Sequence, residues 1–176
     1  HDEGDAVHLA RTPLLDRLHV TCPHVALRAH GTAVGMPSDK DMGNSEVGHN
    51  ALGAGRVFDQ GAKLVDRAIA EGTLFAGQAW ADVTARGTAG GTVHLIGLLS
   101  DGNVHSHIDQ LLALIRDADG KGVTRLRVHP LLDGRDVDET SALQYLDTLE
   151  AALGPIDERD DRRYRVASGG GRMVVT

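Results

Sequence analysis

Apolar and polar positions follow two different patterns along the chain, changing near residue 92. Beyond that point strand-like and helix-like stretches alternate. Val93 to Leu99 is an apolar run interrupted by His94, and predicts a buried strand. His107 to Asp119 carries Leu111, Leu112, Leu114 and Ile115 at helical spacing. Arg125 to Leu131 predicts a second strand, Ser141 to Leu153 a second helix with Leu143, Leu146, Leu149 and Ala152, and Arg163 to Ala167 a third strand. Such alternation implies right-handed βαβ units and a mainly parallel sheet. Upstream the pattern is patchier. Ala10 to Val20 predicts a helix with Thr12 as N-cap and Pro13 in its first turn. His24 to His30 alternates as a strand would, with Val25, Leu27 and Ala29 on one side. Gly31 to Gly43 is turn-rich, and about Asp59 to Glu71 predicts a helix.

Composition narrows the picture. Apolar residues make up 41% of the chain but aromatics only 3%, so the core must be built from Leu, Val, Ala and Ile. The 22 glycines favour tight turns over a helical bundle. A net charge of -7 argues against nucleic-acid binding. It leaves a small anion open, because a few Arg in a cleft set the local field. The single cysteine, Cys22, has no internal partner for a disulfide, which fits a reducing compartment. No stretch approaches the roughly 20 apolar residues of a membrane span. A cytoplasmic protein is therefore expected. The chain opens on His1 and closes on Met173-Val174-Val175-Thr176, which reads as a strand stopped midway; the expectation is a fragment.

In open α/β sheets ligands bind beyond the carboxyl ends of the strands. Each of the three strand-to-helix loops here carries polar chemistry at that end: His105, then Arg135 and Asp136, then Arg172. An imidazole, two guanidiniums and a carboxylate on one rim suit an anionic, phosphorylated small molecule, since Arg grips phosphate and carboxylate bidentately. A second unusual stretch surrounds Ser45, with glycines at 43, 48, 53 and 55. A serine hydroxyl needs a base or a metal before it becomes a useful nucleophile. A helix starting there would turn free N–H groups toward a phosphate. Asp101 and Asp133 read as loop stiffeners through side-chain to backbone bonds, and His107 as structural. His49 is ambiguous, leaning toward a structural role near the site. His19, His24, His94 and His129 show no metal-ligand spacing and read as structural or surface residues.

Gly43-Asn44-Ser45-Glu46-Val47-Gly48-His49, followed by Gly53-Ala54-Gly55-Arg56, resembles the nucleophile segment of cofactor-independent phosphoglycerate mutases. Leu98-Leu99-Ser100-Asp101-Gly102-Asn103-Val104-His105 and Leu132-Asp133-Gly134-Arg135-Asp136-Val137 resemble two substrate loops of that family. Ser168-Gly169-Gly170-Gly171-Arg172 resembles the third, whose common form is a shorter Ser-Gly-Arg. The resemblance implies an α/β fold: part of an alkaline-phosphatase-like metal domain over residues 1–59, then part of an inserted transferase domain with a mainly parallel sheet over 60–176. It implies interconversion of 3- and 2-phosphoglycerate through a phosphoserine on Ser45, which would also be a metal ligand. His105, Arg135, Asp136 and Arg172 would hold the substrate. Two divalent cations are expected, Mn2+ foremost with Mg2+ or another ion as substitutes, and no 2,3-bisphosphoglycerate. The expected partner is the small-molecule substrate alone, in a protein monomeric at full length. The other metal ligands of the family have no counterpart in this sequence, so the chain by itself is expected to be inactive. Two competing functions are another alkaline-phosphatase-like phosphomutase and a non-catalytic phosphoglycerate-binding module.

Overall fold

A computed structural model of the chain describes residues 4–175. Two short helices open it, α1 (Ala6–Leu9) and α2 (Pro13–Thr21), and a 3-10 turn spans Gly31–Val34. Three helices follow: α3 (Ser45–Ala54), α4 (Gly61–Ala70) and α5 (Gln78–Thr88). The alternating part is β1 (Val93–Leu99), α6 (Ile108–Gly120), β2 (Arg125–Leu132), α7 (Ala142–Asp157), β3 (Arg163–Val166), β4 (Gly170–Gly171) and the short α8 (Arg172–Val175).

The parallel sheet expected from the alternation is present. β2 lies between β1 and β3, every pairing is parallel, and β4 also pairs with β2. Side chains alternate across a strand. Val93, Leu99, Leu126, Val128 and Tyr164 therefore share one face, which packs with Ile115 of α6 and Tyr145, Leu149 and Leu153 of α7. That cluster is the main core, and its buried Tyr145 and Tyr164 depart from the purely aliphatic core expected from composition. The opposite face carries His94, Ile96, His129 and Arg165, and Ile96 is 73% exposed.

α5 was not foreseen. Its inner face is Trp80, Thr84 and Gly87, too weakly apolar to stand out. It packs nonetheless, because a side chain at Gly87 would collide with Val93 and Val123. Trp80 Nε1 donates to Asp117 of α6.

Two expectations fail. His24–His30 is not a strand but an exposed segment without regular structure. Alternation alone does not make a strand, which needs a neighbour for its ladder, and the segment has none among the described residues. Met173–Val175 is helical rather than extended. β4 is paired only as far as Leu132, the last residue of β2, so the chain beyond has no ladder to join. Thr176 lies outside the described residues. Thr12 and Pro13 do open α2, but Thr12 Oγ1 donates to Asp16 at 3.0 Å instead of capping a backbone N–H. Among the described residues no helix is long and apolar enough to cross a membrane.

Candidate functional site

Ser45 is the first residue of α3. Asn44 caps the helix, its side-chain oxygen accepting from the Val47 N–H at 3.0 Å. Val47 in turn closes a small core with Val34 and Met36. Gly43 is required by close approach: a Cβ there would lie 2.2 Å from the Ala29 carbonyl oxygen. These features leave Ser45 exposed at a helix N-terminus, where unpaired N–H groups and the helix dipole favour an anion.

His49 does not serve as a base for Ser45. Its Nδ1 lies 2.7 Å from the Ser45 carbonyl oxygen and 3.2 Å from Ser45 Oγ. A carbonyl can only accept, so the shorter contact puts the proton on Nδ1. That nitrogen then has no lone pair for the hydroxyl proton. Activation of Ser45 must come from another group.

The three loops beyond the sheet converge, and Asp133 is their hub. One of its oxygens accepts from the backbone N–H groups of Gly134, Arg135 and Asp136 at 2.8, 3.1 and 3.2 Å. The other accepts from Ser100 of the first loop at 2.7 Å. Arg172 donates to Asp133 at 3.1 Å and to Asp136 at 2.7 Å. Burial pushes the Asp133 carboxyl up, but the Ser100 hydroxyl and the N–H groups of Arg135, Gly134 and Asp136 outweigh it and hold the group well below the usual carboxylate range. The loop-stiffening role expected of Asp133 is therefore what the geometry shows. Asp101 differs, because it accepts from the Tyr145 hydroxyl of α7 rather than from backbone. His107 caps α6, accepting from the Asp109 N–H at 3.1 Å.

Of the residues singled out from sequence, Asp136 and Arg172 meet directly. Asp136 thus pairs across loops rather than with its sequence neighbour Arg135. Arg135 and His105 are exposed, and neither side chain makes an ion pair among the described residues. Among the described residues the side chain of Ser45 meets His49 of its own helix rather than the rim, but its segment reaches the rim. Asn103, two residues before His105, donates to Asp41 Oδ1 at 2.9 Å. Burial raises the Asp41 carboxyl, and the bonds from Asn103 and Ser38 more than offset it, leaving the group below its ordinary value.

Asn103 escaped the sequence reading and is unusual twice over. Its φ is 55°, and its buried Oδ1 has no hydrogen-bond partner among the described residues. Such an orphaned acceptor costs about 1–3 kcal/mol, and backbone strain of this kind concentrates at functional sites. A lone Asn in a loop gave no signal of it. A metal centre is not assembled here: among the described residues no group of three or more His, Cys, Asp or Glu could hold an ion.

Comparison with known proteins gives a consistent result. A family model described as the BPG-independent PGAM N-terminus matches residues 65–176. The probable 2,3-bisphosphoglycerate-independent phosphoglycerate mutase of Leptospira interrogans is 53% identical over 176 residues, covering 99% of this chain and 32% of the relative. The Zea mays 2,3-bisphosphoglycerate-independent phosphoglycerate mutase is 50% identical, covering 99% of this chain and 31% of its own. A crystal structure of Leishmania mexicana phosphoglycerate mutase at low cobalt concentration matches with a TM-score of 0.87 and 51% identity, over 98% of this chain and 32% of that one. The chain spans about a third of the length of these relatives.

Proposed function

The chain belongs to the 2,3-bisphosphoglycerate-independent phosphoglycerate mutase family, and from that premise we propose that it contributes the nucleophile and part of the substrate clamp to an enzyme interconverting 3- and 2-phosphoglycerate. The observation that carries this reading is the joining of three strand-end loops through Asp133, which sets Arg172 and Asp136 at one rim beside the loops of His105 and Arg135.

In this reading Ser45 accepts the phosphoryl group, and the N-terminus of α3 faces its oxygens. Arg135 and His105, turned outward, bind the anionic groups of the substrate. Asp136 orients Arg172 as well as facing the glycerate hydroxyls. Phosphoryl transfer needs positioning and charge neutralisation more than covalent help, and a rim of this kind provides the first. Residues 1–59 form part of the metal domain and 60–176 part of the transferase domain.

Two divalent cations, Mn2+ foremost, complete the expected enzyme. Ser45 is the ligand proposed from among the described residues, which do not form a metal site on their own. The Leishmania mexicana structure was determined at low cobalt concentration, which fits a divalent requirement in the family. The full-length protein is proposed to be a cytoplasmic monomer acting on a small-molecule substrate, and this chain alone to be inactive.

Replacing the nucleophile tests the reading. Ser45→Ala in the full-length enzyme should lower kcat by on the order of a thousandfold or more, as loss of a covalent nucleophile does. Mutase turnover close to wild type would remove Ser45 from this role.

A further inference from the structure

Pro130 stands inside β2, the central strand. A proline cannot donate to a ladder and is tolerated there only beside an irregularity. The irregularity is in the neighbouring strand. Val166 pairs with Val128 and Gly170 with Leu131, so residues 167–169 lie opposite only 129 and 130. That extra residue is a bulge. The Ala167 N–H still reaches the Val128 carbonyl at 2.9 Å, and a Cβ on Gly169 would come within 3.0 Å of the Pro130 carbonyl oxygen. Three glycines then precede Arg172, so little in the segment itself restricts its backbone.

A tether sits at the centre of the bulge. Ser168 Oγ lies 2.6 Å from His129 Nδ1. The other nitrogen of that ring, Nε2, lies 2.9 Å from His94 Nδ1. The two rings stack with centroids 5.2 Å apart and planes 20° apart. This chain of bonds runs from β1 through β2 to the bulge, on the face of the sheet away from α6 and α7.

We infer that His129 is a positioning residue for Arg172: braced by His94, it anchors Ser168 and so fixes the bulge that delivers Arg172 to Asp133 and Asp136. The inference rests on Arg172 being a substrate-binding residue, as proposed above. His129 touches no reacting atom in this scheme. Its effect is on how well the clamp is formed before substrate arrives.

Steady-state kinetics of the full-length enzyme separate tethering from a general structural role. An asparagine amide reaches the place of Nδ1 and a glutamine amide that of Nε2. His129→Asn therefore keeps the bond to Ser168 and His129→Gln loses it. The expected result is a KM for 3-phosphoglycerate raised about fivefold in His129→Gln and in Ser168→Ala, with a smaller change in kcat, the scale of one neutral hydrogen bond. His129→Asn should stay within about twofold of wild type, and the double variant His129→Gln/Ser168→Ala should be no worse than either single one. Equal losses in the Asn and Gln variants would overturn the inference by showing only a structural need for the ring. So would an unchanged KM in His129→Gln when Arg172→Ala raises it. If Arg172→Ala itself leaves KM unchanged, the reading of Arg172 fails first and the inference falls with it.

Discussion

Asp133 has the most heavily bonded carboxylate at the rim, taking backbone N–H groups, a hydroxyl and a guanidinium. Asp133→Asn turns an amide N–H2 toward some of those donors and leaves Arg172 with a weaker acceptor. A loss of about 2–3 kcal/mol in unfolding free energy is expected at neutral pH. The carboxyl titrates lower in the folded chain than in the unfolded one. Its contribution is therefore fully present above the unfolded value of about 3.9, and is lost as pH falls through the folded value. Urea unfolding should show the gap between wild type and Asp133→Asn holding at about pH 5 and closing only well below pH 4. Closure already between about pH 5 and 6 would contradict that assignment. The local part of this site was legible, because an Asp before Gly-Arg-Asp can bond its own backbone. Its link to Arg172 was not. That pairing joins residues 36 apart or more, and depends on a register set by Pro130 and the bulge.

Among the elements, those with strong apolar periodicity were readable and those without it were not. β1, α6, β2, α7 and β3 fall within a few residues of expectation because each contributes to one core. α5 was missed because Gly87 packs by lacking a side chain, which no hydrophobic pattern records. His24–His30 misled in the opposite way: its alternation is real, but Val25 is 79% exposed and no neighbouring strand pairs with it among the described residues. The same contrast can be measured between two helices. Leu149 of α7 is fully buried, whereas Leu14 of α2 is 58% exposed. Leu149→Ala should cost about 3 kcal/mol, within the usual range for a leucine deleted from a packed core. Leu14→Ala should cost less than about 1 kcal/mol. Chemical denaturation of both variants checks the pair, and equal losses would mean that α2 is buried in solution.

At the scale of the whole molecule, the proposed nucleophile and the proposed substrate rim sit on different parts of the fold. Ser45 opens the helix whose Val47 joins the small core of Val34 and Met36, and the rim belongs to the sheet. The bond from Asn103 to Asp41 spans the two. The motifs made both parts recognisable in sequence, since each is a short local run. How they are held together was not readable, because it rests on an Asn in a left-handed conformation rather than on any pattern. The chain spans about a third of its relatives' length, so the decisive measurement is on the full-length enzyme. Acid-quenched enzyme taken during turnover of phosphoglycerate, digested and sequenced by tandem mass spectrometry, should carry a phosphoryl group on Ser45 that is absent from Ser45→Ala. An active enzyme whose trapped phosphoryl group lies on another residue would contradict the account.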